Sequence, residues 1–164
     1  EGQQLLTQGY LVGVQQISWP SYMVDQPMSG IGAGRSFIGT NPAPGAEVLE
    51  TVPTSHTWRL MAIIASLATD ATVITRQVRL QIDDGATVLW YSPSLSTHPV
   101  SSSRIYCWGA GTDTNAAGVV IFFNISLPPL LLPGGSRLRT VTDNLQAGDD
   151  WSEVMITVES WLNF

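Results

Sequence analysis

An all-β chain, folded as a two-sheet antiparallel β-sandwich of jelly-roll type behind an extended N-terminal arm, is the architecture this sequence predicts. Three observations carry that prediction. From Glu47 onward, about eight short segments rich in Val, Ile, Thr and aromatic residues follow one another, roughly every 10–15 residues. Gly, Pro and Asp clusters separate them. No stretch repeats its apolar residues at helical spacing. The 164 residues give room for one domain with a sizeable core. Eight strands with unequal connections fit a jelly roll best. An immunoglobulin-type sandwich comes next, but its Cys–Trp–Cys pattern is missing.

The elements follow in order. Val48, Leu49 and Val52 form a short apolar piece stopped by Pro53, and Thr54-Ser55-His56-Thr57 reads as a turn. Trp58–Ala68 is apolar on both faces, as a strand covered on both sides should be. Val73–Ile82 alternates through Val78, Leu80 and Ile82, and Asp83-Asp84-Gly85 supplies a hairpin turn into Thr87–Tyr91. A Ser/Pro/Thr-rich loop leads to Arg104–Trp108, and Gly109–Gly118 is a second polar loop. Val119–Ser126 and Leu130–Leu132 are apolar strands, the latter closed by Pro133-Gly134-Gly135. Ser136–Thr142 and Trp151–Leu162 complete the set, joined by the turn Leu145–Asp150.

Residues 1–46 differ in texture from the domain at 47–164. Gly30-Ile31-Gly32-Ala33-Gly34 and Asn41-Pro42-Ala43-Pro44-Gly45 favour extended, irregular backbone. Yet the stretch also carries Tyr10, Trp19, Tyr22, Met23 and Phe37, for which a pure linker has no use. The expectation is an arm that docks these five side chains on a neighbouring subunit, with Trp19 as its anchor. Loops lying on the domain's own core are the competing reading. About 30 residues, fully extended, reach up to ~100 Å.

Hydrophobic residues make up 44% of the chain and charged ones 12%, which is the reverse of a disordered composition. No apolar run reaches the roughly 18 residues of a membrane-spanning helix. Seven Arg and no Lys stand against thirteen acidic residues, for a net charge of −6. Scattered, outnumbered cations argue against nucleic acid and against an anionic membrane surface. The absence of Lys suits a protein packed against neighbours, since Lys is depleted and Arg enriched at interfaces; a GC-rich genome explains it equally well. The opening Glu1-Gly2-Gln3-Gln4 shows no basic segment followed by an apolar one, so no signal peptide is expected.

Candidate chemistry is thin. Cys107 is the one cysteine, so neither an intrachain disulfide nor a thiolate zinc site can be built, and a buried structural thiol is expected. His56 and His98 sit in polar loops with no nucleophile elbow nearby, which reads as surface histidines. Asp83-Asp84 and Asp149-Asp150 are paired carboxylates, but each has a Gly beside it and no EF-hand spacing, so turn chemistry is favoured over Ca²⁺. Gly30–Arg35 lacks the Lys-Ser/Thr ending of a phosphate loop. Catalytic residues, metal and cofactor are all expected to be absent. Five Trp (Trp58, Trp90, Trp108, Trp151, Trp161) fall within or at the ends of strands and are expected to close the core.

Several stretches carry a family likeness: Trp58-Arg59-Leu60, Thr69-Asp70-Ala71-Thr72-Val73, Arg76–Gly85, Leu130–Thr140 and Asp150-Trp151-Ser152. Over residues 47–164 the chain resembles small virion proteins of tailed bacteriophages. That resemblance implies a jelly-roll capsid accessory, a cement or decoration protein on the capsid exterior, assembled in the host cytoplasm. Its implied partners are the major capsid protein and copies of itself, a trimer being favoured over a dimer. No catalytic residues come with it. The alternative is a carbohydrate- or receptor-binding jelly roll of a tail fibre or tail tip, which would need an exposed aromatic platform. A hydrolase on the same sandwich lacks a motif and ranks last.

Overall fold

The computed structural model describes residues 32–110, 115–117 and 122–163, and these contain strands and turns but no helix. Twelve strands follow in chain order: β1 (Ala33–Ile38), β2 (Leu49–Thr51), β3 (His56–Ala68), β4 (Gln77–Asp83), β5 (Val88–Pro93), β6 (Ser103–Ala110), β7 (Asn115–Ala117), β8 (Phe122–Leu127), β9 (Leu130–Leu132), β10 (Arg137–Asp143), β11 (Asp150–Trp151) and β12 (Met155–Leu162). Eight of them make sheet A, in the order β1-β12-β3-β6-β8-β7 with β9 and β11 also on β3. The other four make sheet B, in the order β2-β10-β4-β5. This is the all-β two-sheet sandwich of jelly-roll type that the sequence predicts. It is antiparallel throughout except at β6 and β8, which run parallel.

The alternation read from the sequence sets the two faces of each strand. Leu60, Ile63, Ala65 and Leu67 of β3 point inward, as do Val78, Leu80 and Ile82 of β4 and Leu138 of β10. Tyr106 lies at the centre, stacked on Trp108 at 5.6 Å and Phe123 at 5.5 Å, with Trp151 tilted against it at 5.7 Å. Trp58, Trp108 and Trp151 fill the core as expected, Trp90 packs half-buried at its edge, and Trp161 is buried beneath Arg59. At thirteen residues, β3 is the spine of sheet A. β12 and β11 flank one side of it, and β6 and β9 the other.

Several segments depart from the sequence expectation. Residues 33–38, placed in the arm, form edge strand β1 along β12, where backbone pairing substitutes for a missing apolar alternation. Asn115–Ala117, inside the expected polar loop, pairs with β8. The single strand expected over Trp151–Leu162 is two, because Ser152 turns aside to bond Ser66 through both its backbone N–H and its Oγ. The strand expected from Val73 begins at Gln77, because the residues before it wrap a buried arginine.

That arginine is Arg76, with no exposed side chain. Its Nε donates to Asp149 Oδ2 at 2.6 Å, and Nη2 donates to Asp149 Oδ1 at 2.9 Å and Asp70 Oδ1 at 2.6 Å. Nη1 donates to the carbonyls of Thr72 and Ile74. Asp149 in turn accepts the backbone N–H groups of Asp70 and Gln146. Burial alone would raise the Asp149 pKa, but these hydrogen bonds outweigh it and hold the carboxyl below the usual carboxylate range. Three connections at one end of the sandwich, 69–76, 94–102 and 144–149, are tied here. His98 is part of the knot, its N–H bonded to the Arg76 carbonyl.

Two predictions follow from the knot. Asp149→Ala strands a buried guanidinium and is expected to cost about 3–5 kcal/mol in urea unfolding. Asp70→Ala should cost clearly less, since that carboxylate is 27% exposed against 0% for Asp149; equal costs would remove the argument. The second concerns acid. Burial holds His98 neutral, below its ordinary pKa, whereas the unfolded chain titrates it near ~6.5. Unfolded chains therefore bind a proton there that folded ones do not, so stability falls as pH drops below ~6.5. Asp149 and Asp83, both held below the usual carboxylate range, lose their contribution as pH falls further, below ~4. A melting temperature that is flat from about pH 7.5 to 5 would contradict the His98 step.

Candidate interaction surface

The residues that the sequence offered as chemistry are engaged inside the fold. His98 is buried, which corrects the surface reading. The loop 94–102 folds over Arg76, and the Ser102 carbonyl lies 3.2 Å from Nε2. A carbonyl only accepts, so Nε2 carries the proton and Nδ1 accepts from the Tyr106 hydroxyl at 2.8 Å. His56, at the start of β3, bonds Ser55 Oγ through Nδ1 at 3.0 Å. Cys107 is free and buried, and burial pushes its thiol pKa up.

Asp84 is turn chemistry as expected: its Oδ1 accepts the N–H groups of Ala86 and Thr87, and Gly85 takes a φ of +98°. Asp83 does more than make a turn. Burial would raise its pKa, but Nε of Arg137 at 2.5 Å, the Gly85 N–H and Gln81 together hold it low. Arg139 Nε also lies 3.0 Å from it. Among the described residues, no three acidic, histidine or cysteine side chains are grouped to hold a metal ion.

What remains open are the outer faces. Strand registers align Ile38, Met155, Ile64 and Cys107 in one row across β1, β12, β3 and β6 on the outside of sheet A. Ile38 is 61% exposed and Met155 50%. A shallow groove of about 260 Å³ runs along this row, lined by Ile38, Ile64, Ile105 and Met155 with Ser66 and Glu153 at its rim. The neighbouring row is small and uncharged: Ser36, Thr157, Ala62, Gly109 and Ser126. The row after that holds the Arg59–Glu159 ion pair at 2.8 Å, with the guanidinium 5.2 Å over the Trp161 ring. An uncharged band thus crosses sheet A, flat on one side and apolar on the other. Contiguous apolar surface of this kind marks interaction sites on soluble proteins.

The outer face of sheet B differs. Arg79 pairs with Asp143 at 3.0 Å, and Arg137 and Arg139 cover Asp83. Tyr91 stands 61% exposed on edge strand β5, in register with Gln81 and, beyond it, Arg139.

Of the five arm residues, Tyr10, Trp19, Tyr22 and Met23 lie outside the described residues. Phe37 packs against Trp58 of its own chain, with ring centroids 5.4 Å apart. Both rings line a cleft of about 460 Å³ where β1 overhangs the start of β3, together with Arg35, Pro53, His56 and Val158. Neither the outer band nor this cleft is signalled by a motif. Finding the band needs the cross-strand register, and finding the cleft needs β1, whose sequence does not alternate.

No family model and no curated protein matches the sequence. Among solved structures, the chain is similar to latent PorU from Porphyromonas gingivalis at 10% identity and a TM-score of 0.39, covering 82% of this chain and 13% of that one. A chain of the IBDV viral particle is similar at 8% identity and a TM-score of 0.38, covering 79% of this chain and 31% of that one. The SPP1 Dit protein, of a phage infecting Gram-positive hosts, gives 14% identity and a TM-score of 0.31, covering 79% and 59%. The chain thus spans less than a third of the first two. Likenesses at these scores carry no argument about what it does or binds.

Proposed function

We propose that this chain is a structural protein of a virion whose work is adhesion. It binds neighbouring subunits of a major capsid protein and copies of itself, as a cement or decoration protein, with a trimer favoured. The observation that carries this reading is the uncharged band across sheet A, with Ile38 and Met155, side by side at the β1–β12 end of its apolar row, half-exposed or more. Shells need such surfaces, because many weak contacts repeated by symmetry sum to strong attachment. The ionisable groups add support: Arg76, Asp149, His98 and Asp83 hold the fold together, and the reading assigns no catalytic step to them. The resemblance to small virion proteins of tailed bacteriophages points the same way.

A second reading, a glycan- or receptor-binding module, is favoured by one observation: Tyr91 stands exposed beside Gln81 and Arg139, as a sugar-stacking ring would. Tyr91 is one ring, however, whereas the band of sheet A spans four strands.

Cosedimentation of the purified protein with shells lacking it tests the first reading. Ile64→Glu and Met155→Glu place a charge on the outer face away from the core, and each is expected to weaken shell binding roughly tenfold or more. Wild-type affinity in both variants would remove the band from the contact. Glycan-array binding that disappears in Tyr91→Ala would favour the second reading.

A further inference from the structure

The cleft beneath β1 has two properties that the band of sheet A lacks. Arg35 lines it, and Arg35 is the one arginine among the described residues with neither a hydrogen bond nor an ion pair. Above it, β1 is the end of its sheet, so its outer edge presents backbone N–H and C=O groups with no strand beside them among the described residues. An open edge over an aromatic trough is the arrangement that binds an extended segment by strand addition, with alternate side chains dropping into the pocket. Phe37, Trp58 and Pro53 would receive an apolar side chain, and Arg35 a carboxylate.

We infer that this site binds residues 22–26 of a second copy of the chain, Tyr22-Met23-Val24-Asp25-Gln26. Charge and chain geometry select that segment. Only two acidic residues precede Gly32, Glu1 and Asp25, and Asp25 follows Tyr22, Met23 and Val24 directly. That run supplies the apolar group and the carboxylate together. Geometry argues for a second copy over the same one. The Gly32 N–H bonds Glu159 Oε1 at 2.8 Å, and a Cβ at Gly32 would come within 2.7 Å of the Trp161 ring. Glu159 and Trp161 belong to the outer face of sheet A, whereas the cleft opens on the opposite side, towards Phe37 and Val158. Gly32, the residue just ahead of β1, is thus fastened to the outer face, away from the cleft. The inference rests on the reading that copies of this chain associate.

Sedimentation equilibrium of the full chain over a range of concentrations tests it. Arg35→Glu and Asp25→Arg are each expected to lower the association constant by about tenfold or more. The double variant, with the charges exchanged, should recover most of the wild-type association, and that recovery also shows that the single variants remain folded. A wild-type chain that stays monomeric at every concentration overturns the inference, as does pairing within one chain, which would look the same. Unchanged or stronger association in Arg35→Glu overturns it too, and would make Arg35 an inward charge that guards an edge strand. Failure of the double variant to recover is equally fatal. A monomer that still binds shells would defeat this contact while leaving the adhesive role standing.

Discussion

The sandwich depends on a buried guanidinium. Arg76 has no exposed side chain, and every one of its nitrogens donates to an acceptor supplied by a loop. A charge taken out of water is costly unless its partners are complete. Here completeness requires that three connections from distant parts of the sequence close together. Asp149 brings the 144–149 turn, and Asp70, Thr72 and Ile74 bring the 69–76 loop. His98, pinned to the Arg76 carbonyl, brings the 94–102 loop against Tyr106 in the core. These three connections are therefore held by polar chemistry, at the end of a body held by apolar packing.

The opposite end repeats the theme more weakly. Asp83 is buried beneath Arg137 and Arg139, which are themselves about a third exposed. Between the two ends, Glu47, just ahead of β2, binds the half of β10 nearer Arg76. It accepts the Thr140 hydroxyl at 2.7 Å and the Thr142 N–H, and Thr140 Oγ1 accepts the Val48 N–H at 2.9 Å. With most arginines and many carboxylates engaged in this way, the charge left for the broad faces is small. The two rows of the band carry no charged side chain, and Arg59 and Glu159 in the row beside them are paired with each other.

Much of the fold was legible in the sequence. Period-two alternation located β4, β10 and β12, and Asp83-Asp84-Gly85 announced the hairpin between β4 and β5. What escaped were elements that owe their form to neighbours. Ala-Gly-Arg-Ser-Phe-Ile has no alternation, and it is a strand because β12 offers it a partner. The parallel pairing of β6 and β8 leaves no local trace, since register between distant strands is a tertiary property. The buried state of His98 was equally invisible: a polar loop looks the same whether it faces water or folds over an arginine. The outer band was hardest to read, because its apolar row draws one residue from each of four strands far apart in the sequence.

The central position of β3 governs the order of events during synthesis. Its partners β6 and β9 emerge later, and β12, which joins it to β1, emerges last of all. Pairs separated by about a hundred residues close slowly, because the chain must lose loop entropy before the contact repays it. When it first emerges, β3 has both edges bare, the β12 edge stays bare longest, and β3 is the longest strand among the described residues. Nascent chains are thus most exposed to wrong partners until the C-terminal strand arrives, and a truncated product would carry that vulnerability permanently.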